Sequence, residues 1–244
     1  MLVRDLLTHT SGLPFKSAIE EPTLDVLPLR TRVRSYAMLP LGTEPGEKFL
    51  YSNAGINTAG RIVEVVSGMP FEQFLDERVL QPLKMKDTTF WPTAEQNSRL
   101  AKAYRPKSGV LEEINIEQLH YPLGSRQTES FPAGGLFSTA QDLLNFYRMI
   151  QAGGIFEGNR LLSGGSVKEM TAVQTPAGNR GFGFVVDANT YGHGGAYGTN
   201  SRFDRSAGLF EIYLVQQARW GNGGEKALPE WQQAAVETFG KAGK

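Results

Sequence analysis

The triplet Tyr51-Ser52-Asn53 stands directly ahead of a long amphipathic run, residues 54–67. A phenol and a carboxamide two residues apart, at the start of a helix, can face one cleft from a short loop. A tyrosine hydroxyl can relay a proton, and an asparagine amide can hold a substrate amide or a neighbouring side chain. Because a Y-x-N triplet occurs by chance in many chains, its weight depends on the motifs before and after it.

Composition narrows the classes of function. The chain has 244 residues and no cysteine, so it is long enough to bury a core without disulfides. Lys+Arg and Asp+Glu both number 25 and no basic block stands out, which argues against nucleic-acid binding. No apolar run approaches the ~20 residues that a membrane-spanning helix needs, so we expect no membrane span. Neither the compartment nor the oligomeric state follows from the sequence.

Hydrophobic periodicity and turn residues predict helices first, strands later and a closing helix. The expected helices are residues 2–8, 30–39, 54–67, one between Pro70 and Pro82, one capped by Ser138 and ending at Gly153, 166–173, and a last one opened by Pro229. The expected strands are residues 101–104, 110–114, 182–186, 199–204 and 209–216.

This order of elements predicts an α+β fold, a mixed α/β sandwich in which helices flank an antiparallel sheet. We expect one domain over residues 1–244, with a helical and loop part at about 1–175 and the sheet with its closing helix at about 176–244. Helical spacing predicts an inward-facing apolar stripe on two of these helices. In the helix at residues 54–67 the stripe consists of Ile56, Ala59, Ile62, Val63 and Val66, and in the last helix it consists of Trp231, Ala235 and Phe239.

The three histidines differ in their surroundings. His9 lies among turn residues and is expected to order its loop by hydrogen bonding, and His120 is expected at the surface. His193 lies within Gly192-His193-Gly194-Gly195, where glycine lets a ligand or a second backbone approach a strand closely. A bulged hairpin corner is the competing interpretation. None of the three has a histidine partner at metal-site spacing, and the glycines do not match G-x-G-x-x-G, so we expect neither metal nor cofactor.

Four segments, in this order, resemble the serine β-lactamase-related superfamily. They are residues 6–14 (LLTHTSGLP), 51–55 (YSNAG), 133–139 (AGGLFST) and 192–195 (GHGG). Within that superfamily the chain is similar to the branch of class C β-lactamases, D-alanyl-D-alanine carboxypeptidases and related esterases. The resemblance runs from Arg4 to the last helix and implies a β-lactamase/transpeptidase-like fold.

The resemblance also implies roles for individual residues, because the family builds its pocket from S-x-x-K, Y-x-N and K-T-G or H-x-G. Tyr51 would relay protons, Asn53 would steady the substrate amide, and His193 would line the edge that meets a substrate carboxylate. The backbone N–H of Ala196 would supply half of an oxyanion hole. Further substrate contacts are expected from Ser52, Gly194 and Gly195.

One family motif is missing from this sequence. No serine is followed three residues later by lysine, and the similar Thr238-Phe239-Gly240-Lys241 lies in the predicted closing helix, where the family has no nucleophile. In the family, S-x-x-K precedes the segment that matches residues 6–13. We therefore expect that this chain lacks a leading strand pair and the nucleophile helix, which would leave a sheet edge and a core groove uncovered.

Two functions follow from these observations. The first is a serine hydrolase that acts through an acyl-enzyme on a small-molecule or peptide substrate, inactive as this chain alone. The second is a non-catalytic relative that keeps the pocket to bind a ligand or partner. Retention of Tyr51 and of the glycines around His193 favours the hydrolase. Because an unperturbed imidazole is mostly neutral near pH 7, esters and D-amino-acid amides are expected to outrank β-lactams as substrates.

Overall fold

The computed structural model describes residues 1–219 and 224–240, and their helices and strands follow the predicted order. The helices are α1 (Val3–Leu7), α2 (Leu29–Tyr36), α3 (Asn53–Ser67), α4 (Phe71–Leu75), α5 (Ala94–Arg99), α6 (Ala140–Gln151), α7 (Gly164–Met170) and α8 (Ala227–Phe239). The strands are β1 (Ala103–Lys107), β2 (Val110–Ile114), β3 (Ile155–Phe156), β4 (Asn159–Arg160), β5 (Val185–Val186), β6 (Thr190–Gly194), β7 (Asn200–Asp204) and β8 (Leu209–Tyr213). Short 3₁₀ turns occupy Ala18–Glu20 and Gly224–Lys226, and a π-helical turn, Asp76–Leu80, extends α4.

The main sheet is an antiparallel meander in the order β5-β6-β7-β8. His193 of β6 is opposite Ser201 of β7, and Arg202 of β7 is opposite Glu211 of β8. The carboxylate of Glu211, which is 2% exposed, accepts two hydrogen bonds from Arg202, at 2.9 and 3.1 Å. This cross-strand pair holds the register of β7 and β8. The α+β prediction is confirmed.

The main core lies between α6 and the sheet. Tyr147, Met149 and Ile150 of α6 pack in one cluster with Phe184, Val186, Tyr191 and Phe203 from the sheet side. The phenol of Tyr147 donates to the carbonyl oxygen of Ser201 at 2.7 Å, so the largest polar group in this core is satisfied. No helix of the described residues is long and apolar enough to cross a membrane.

A second, smaller core lies beneath the start of α3. Leu6, Leu13, Tyr36 and Ala54 form it. Ser52 caps α3 because its hydroxyl oxygen accepts a hydrogen bond from the N–H of Gly55 at 2.9 Å, and Gly68 ends the helix at φ 72°. The helix therefore begins and ends where its sequence signals predict, with Asn53 as its first residue.

The predicted inward face of α3 was wrong at two of its five positions, whereas Ile56, Ala59 and Val63 are half-buried. Val66 is 82% exposed and Ile62 is 36% exposed, whereas Asn57 is fully buried. A Cβ on Gly60 would lie 2.6 Å from Cγ of Pro132, so α3 approaches the 131–135 segment through its small residues. Close packing at Gly60 and hydrogen bonds to Asn57 decide which face of α3 is buried. The spacing of apolar residues along the helix gives no information on these two contacts.

Other local predictions also need correction. Phe239 is 74% exposed and Trp231 is 37% exposed, so α8 does not bury the predicted stripe. Thr139, rather than Ser138, caps α6 by accepting from the N–H of Asp142 at 3.2 Å, while the Ser138 hydroxyl pairs with Thr88. The strand expected at 182–186 is reduced to Val185–Val186. Strand β6, which contains His193, was not among the expected strands.

Gly60 and Gly165 offer a matched test of the close packing of α3, because both lie inside helices. We expect Gly60→Ala to lower the free energy of unfolding by about 1–3 kcal/mol, since the new methyl group meets the ring of Pro132. Gly165→Ala should be neutral or stabilise the chain by about 0.5–1 kcal/mol, because its Cβ would meet only Ser163 Oγ at 3.6 Å. Urea unfolding measures both; equal effects would contradict this packing.

Candidate active site

Tyr51 lies in a cluster of rings at the N-terminal end of α3. Its ring stacks on His9 with centroids 4.1 Å apart and an interplanar angle of 24°, and Phe15 lies 6.3 Å away on centroids. The side chain of Tyr51 remains 37% exposed. Burial raises the pKa of the Tyr51 phenol and the nearby charge of Arg180 lowers it, with a net rise, so the phenol is protonated near neutral pH.

His9 fixes the position of this loop. The N–H of Ser52 donates to Nδ1 of His9 at 3.1 Å, and the N–H of Leu50 donates to the His9 carbonyl oxygen at 2.8 Å. His9 is 4% exposed and has φ 58°. Burial, followed by the charges of Arg180 and His193, lowers its pKa to about 4. The expectation that His9 orders its loop by hydrogen bonding is confirmed, and its ring is neutral at pH 7.

Ser52 and Asn53 occupy different environments. The hydroxyl of Ser52 is fully buried, donates to the carbonyl oxygen of Pro14 at 2.7 Å and caps α3. Both of its hydrogen bonds are therefore made within the protein, and the predicted contact between this side chain and substrate does not fit the structure. Asn53 is 7% exposed, and within the described residues its carboxamide forms no hydrogen bond. An unpaired amide beside Tyr51 remains available to a ligand.

The structure brings His193 of β6 to the opposite side of this cluster. The ring centroids of His193 and Tyr51 are 6.3 Å apart, with an interplanar angle of 41°. A Cβ on Gly192 would lie 2.2 Å from the carbonyl oxygen of Ser201, so only glycine lets β6 and β7 approach this closely. Gly192 therefore allows a second strand to approach β6 closely, which is one of the interpretations given for the glycines around His193.

The hairpin that follows His193 is exposed and closed by its own backbone. The N–H of Gly195 donates to the carbonyl oxygen of Thr199 at 2.7 Å. Among the residues that the structure describes, the N–H of Ala196 has no acceptor, and Gly194 and Ala196 are both exposed. Of these amides, that of Ala196 is therefore free to bind an oxyanion. The segment that follows β2 supports this loop, since the N–H of Glu117 donates to the phenol oxygen of Tyr197 at 2.8 Å.

Arg180 is a further member of the site that sequence reasoning missed. Its Nη1 lies 3.1 Å from Nε2 of His193, and its Cζ lies 4.9 Å from the ring centroid of Phe49 and 6.0 Å from that of Tyr51. A single arginine in a glycine-containing turn carries no signal in one sequence. Pairing of Arg180 with Val185, the first residue of β5, brings it beside β6.

The two partners of His193 specify one tautomer. An arginine only donates hydrogen bonds and a carbonyl oxygen only accepts them. Nε2 therefore accepts from Arg180, and Nδ1 carries the proton and donates to the Gly194 carbonyl oxygen at 2.6 Å. Burial lowers the pKa of His193, the hydrogen bond to Gly194 raises it and Arg180 lowers it, with a net decrease. Both imidazoles of the site are neutral at pH 7, and Arg180 is its cation.

A groove of about 410 Å³ lies apart from these residues. It separates β8 from α8 and is mostly apolar, with Leu209, Phe210, Trp231, Ala235 and Phe239 among its lining residues. None of the predicted site residues lines it. β8 is also the outer strand of its sheet, so its second edge has no strand partner among the described residues. The open edge and the apolar groove coincide.

The fold and the motifs define a class of protein. The family model described as Beta-lactamase matches residues 1–235, so the chain belongs to the Beta-lactamase family. The resemblance expected from the four sequence motifs is confirmed. The roles that it implies for Tyr51, Asn53, His193 and the hairpin residues stay predictions.

Two curated proteins illustrate the similarity of this chain to individual members of the family. Protein Rv1367c of Mycobacterium tuberculosis (strain ATCC 25618 / H37Rv) is 32% identical over 252 residues, which cover 88% of this chain and 62% of that protein. The D-alanyl-D-alanine-carboxypeptidase/endopeptidase AmpH of Escherichia coli (strain K12) is 30% identical over 146 residues, covering 58% of this chain and 34% of AmpH. The chain thus spans less than two thirds of the length of these relatives.

A solved structure supports the same assignment. EstCE1, described as a hydrolase with promiscuous acyltransferase activity, superposes with a TM-score of 0.73 at 27% sequence identity. The superposition covers 92% of this chain and 69% of EstCE1. The β-lactamase-related fold predicted from the sequence is therefore confirmed.

The buried imidazole of His9 predicts a pH dependence of stability. Because its pKa falls from 6.5 to about 4 on folding, the unfolded chain takes up the proton first. The stabilisation is complete above pH 6.5 and is lost as the pH falls towards 4. Asparagine tolerates a positive φ and keeps an acceptor for the N–H of Ser52. His9→Asn should therefore lose part of this pH dependence and retain the loop.

Urea unfolding at a series of pH values from 7 to 4 measures the effect. His120→Gln, which changes an exposed histidine, is the control and should follow the unmodified chain. A His9→Asn variant whose unfolding free energy falls with pH as steeply as that of the unmodified chain would refute the assignment of a buried, neutral His9.

Proposed function

We propose that this chain carries the substrate-binding part of a serine hydrolase that works through an acyl-enzyme on ester or amide substrates. One observation carries the proposal: Tyr51 and His193, distant in the sequence, have ring centroids 6.3 Å apart. The phenol and the imidazole thus border one exposed surface, from which the Tyr51 hydroxyl can transfer a proton to or from a bound substrate. Among the residues that the structure describes, the carboxamide of Asn53 and the N–H of Ala196, which adjoin Tyr51 and His193 in the sequence, have no hydrogen-bond partner.

The roles proposed for these groups follow from their chemistry. Tyr51, protonated at neutral pH, would donate its proton to the leaving group and take up in its place the proton that the attacking hydroxyl loses. The N–H of Ala196 would stabilise the negative charge that develops on the substrate carbonyl oxygen. Asn53 would orient the amide or ester beside the scissile bond, while Gly194 and Gly195 would let the substrate lie against the backbone of the hairpin.

We propose that the nucleophilic serine and its lysine come from residues outside this chain. No serine here has a lysine three residues later. The open edge of β8 and the apolar groove beneath α8, in which Phe239 is 74% exposed, form a surface that a further strand and helix would cover. Relatives that are longer than this chain support the same idea.

Esters and D-amino-acid amides remain the favoured substrates in this proposal. The printed names of the relatives include a D-alanyl-D-alanine-carboxypeptidase/endopeptidase and a hydrolase with acyltransferase activity. Burial and Arg180 both lower the pKa of His193, so its imidazole does not offer a β-lactam carboxylate the charge that a lysine would. A non-catalytic, ligand-binding relative is the alternative, and the missing S-x-x-K is the observation that favours it.

Restoring the natural coding region upstream of Met1 tests the proposal. The restored protein should hydrolyse a short-chain nitrophenyl ester faster than a chromogenic cephalosporin. Tyr51→Phe should lower kcat by about 10²–10⁴-fold, as expected when a proton-transferring group is removed. Tyr213→Phe, at a phenol that packs on Trp231, is the matched control and should leave kcat unchanged.

Each outcome separates the candidates. An upstream region without S-x-x-K, together with ligand binding and no turnover, would establish the non-catalytic alternative. Full activity in Tyr51→Phe would reject the role of the phenol. Cephalosporin turnover that greatly exceeds ester turnover would reverse the substrate order.

A further inference from the structure

The hairpin β1–β2 forms a sheet of its own, separate from the main sheet. It is nevertheless attached to the segment that follows β8. The N–H of Tyr104 donates to the carbonyl oxygen of Gln216 at 2.8 Å, and the carbonyl oxygen of Tyr104 accepts from the N–H of Ala218 at 2.8 Å. These two hydrogen bonds form a short parallel bridge between Tyr104 and Gln217. The hairpin therefore has a fixed position beside the main sheet.

Tyr197, the residue after Ala196 in the turn between β6 and β7, is attached to both of these parts. Its carbonyl oxygen accepts from the N–H of Gln217 at 2.8 Å. Its phenol oxygen accepts from the N–H of Glu117, in the segment after β2, at 2.8 Å. A shift of Tyr197 would break one of these hydrogen bonds, and the cost of breaking it opposes movement of the turn.

Ala196 lies between two residues that are held in this way. On one side, the N–H of Gly195 donates to the carbonyl oxygen of Thr199 at 2.7 Å, and the Gly195 carbonyl oxygen accepts from the N–H of Gly198 at 3.1 Å. On the other side is Tyr197. An oxyanion donor lowers the barrier because it already points to where negative charge develops. The value of the Ala196 N–H therefore depends on the residues that hold its peptide unit.

The phenol of Tyr197 is suited to hold this turn. Burial raises its pKa and the hydrogen bond from Glu117 lowers it, with a net rise, so the phenol stays protonated near neutral pH. The neighbouring N–H of Ile116 donates in the same way to the phenol oxygen of Tyr121, at 2.9 Å. Because Tyr121 belongs to the same segment as Ile116, that bond stays within the segment. The bond of Tyr197 instead joins the segment to the turn.

We propose that Tyr197 is a positioning residue of this site: its phenol, held by the N–H of Glu117, fixes the turn that carries the Ala196 N–H. The inference rests on the proposed function, in which that N–H stabilises the oxyanion. The hairpin β1–β2 is the support to which the turn is attached, and it contributes to catalysis without touching the substrate. The phenol is the part of this attachment that a substitution removes, because the bond from Gln217 is made to the backbone.

The attachment can be measured on this chain by NMR relaxation of the backbone amides. In the unmodified chain, the amides of Ala196 and Tyr197 should have order parameters near ~0.85, as in rigid backbone. Tyr197→Phe removes only the phenol oxygen and should move them towards ~0.6, below which backbone is flexible. Tyr121→Phe is the matched control, since it removes the equivalent acceptor of the Ile116 N–H. It should leave the turn as rigid as in the unmodified chain.

In the protein with its upstream region restored, the same two variants separate positioning from substrate binding. Tyr197→Phe should lower kcat for the nitrophenyl ester by about tenfold, a part of the 10²–10³-fold that the loss of an oxyanion donor costs. KM should stay within about twofold, because the oxyanion develops only in the transition state. Tyr121→Phe should change neither constant. A merely structural Tyr197 would affect unfolding and leave kcat of the folded enzyme unchanged.

Three results would overturn the inference. They are an unchanged order parameter of the Ala196 amide in Tyr197→Phe, an equal loss of order in Tyr121→Phe, and a raised KM with unchanged kcat in Tyr197→Phe. The last result would assign the phenol to substrate binding. If the restored protein turns over no ester while the turn still loosens in Tyr197→Phe and not in Tyr121→Phe, the proposed function alone is refuted.

Discussion

The hydrogen bond from the N–H of Ser52 to Nδ1 of His9 is the interaction on which the site depends. It requires a neutral imidazole at a residue with positive φ, and it places that ring flat against the phenol of Tyr51. The Ser52 hydroxyl then joins the 9–14 loop to the start of α3 through Pro14. One buried serine therefore links the loop, the helix and the exposed tyrosine, and its own side chain is not free for chemistry.

Beneath this junction lies a polar network instead of a purely apolar core. The Tyr36 phenol donates to Oε1 of Glu20 at 2.6 Å and accepts from Nδ2 of Asn57 at 3.0 Å, and Oδ1 of Asn57 accepts from the N–H of Ala133 at 3.3 Å. Burial of such groups is tolerated because each finds its partners. The network explains why α3 turns Asn57 and Gly60 inward and leaves Val66 in solvent. The network also gives the AGGLFST motif at residues 133–139 a structural role, because the N–H of its first residue, Ala133, donates to Asn57 of α3.

The electrostatics of the site follow from the same burial. Desolvation is the largest cause of the lowered pKa of His9 and of His193, so the two imidazoles act as neutral hydrogen-bonding groups. Arg180 keeps its charge and contacts rings on the 49–51 side as well as His193 on the sheet side. A guanidinium between two neutral rings creates a local positive field in a chain whose formal net charge is zero.

Sequence alone determined the family, the order of helices and strands, and the pair of residues that face each other at the site. Local signals sufficed there: Gly68 marks the end of α3, and glycine beside His193 marks a close strand approach. Only tertiary structure decided which face of α3 is buried, that Ser52 is consumed by capping and that Arg180 belongs to the site. The physical reason is that these outcomes depend on contacts between segments far apart in the chain, such as Asn57 with Ala133 and Arg180 with His193, which no periodicity within one segment encodes.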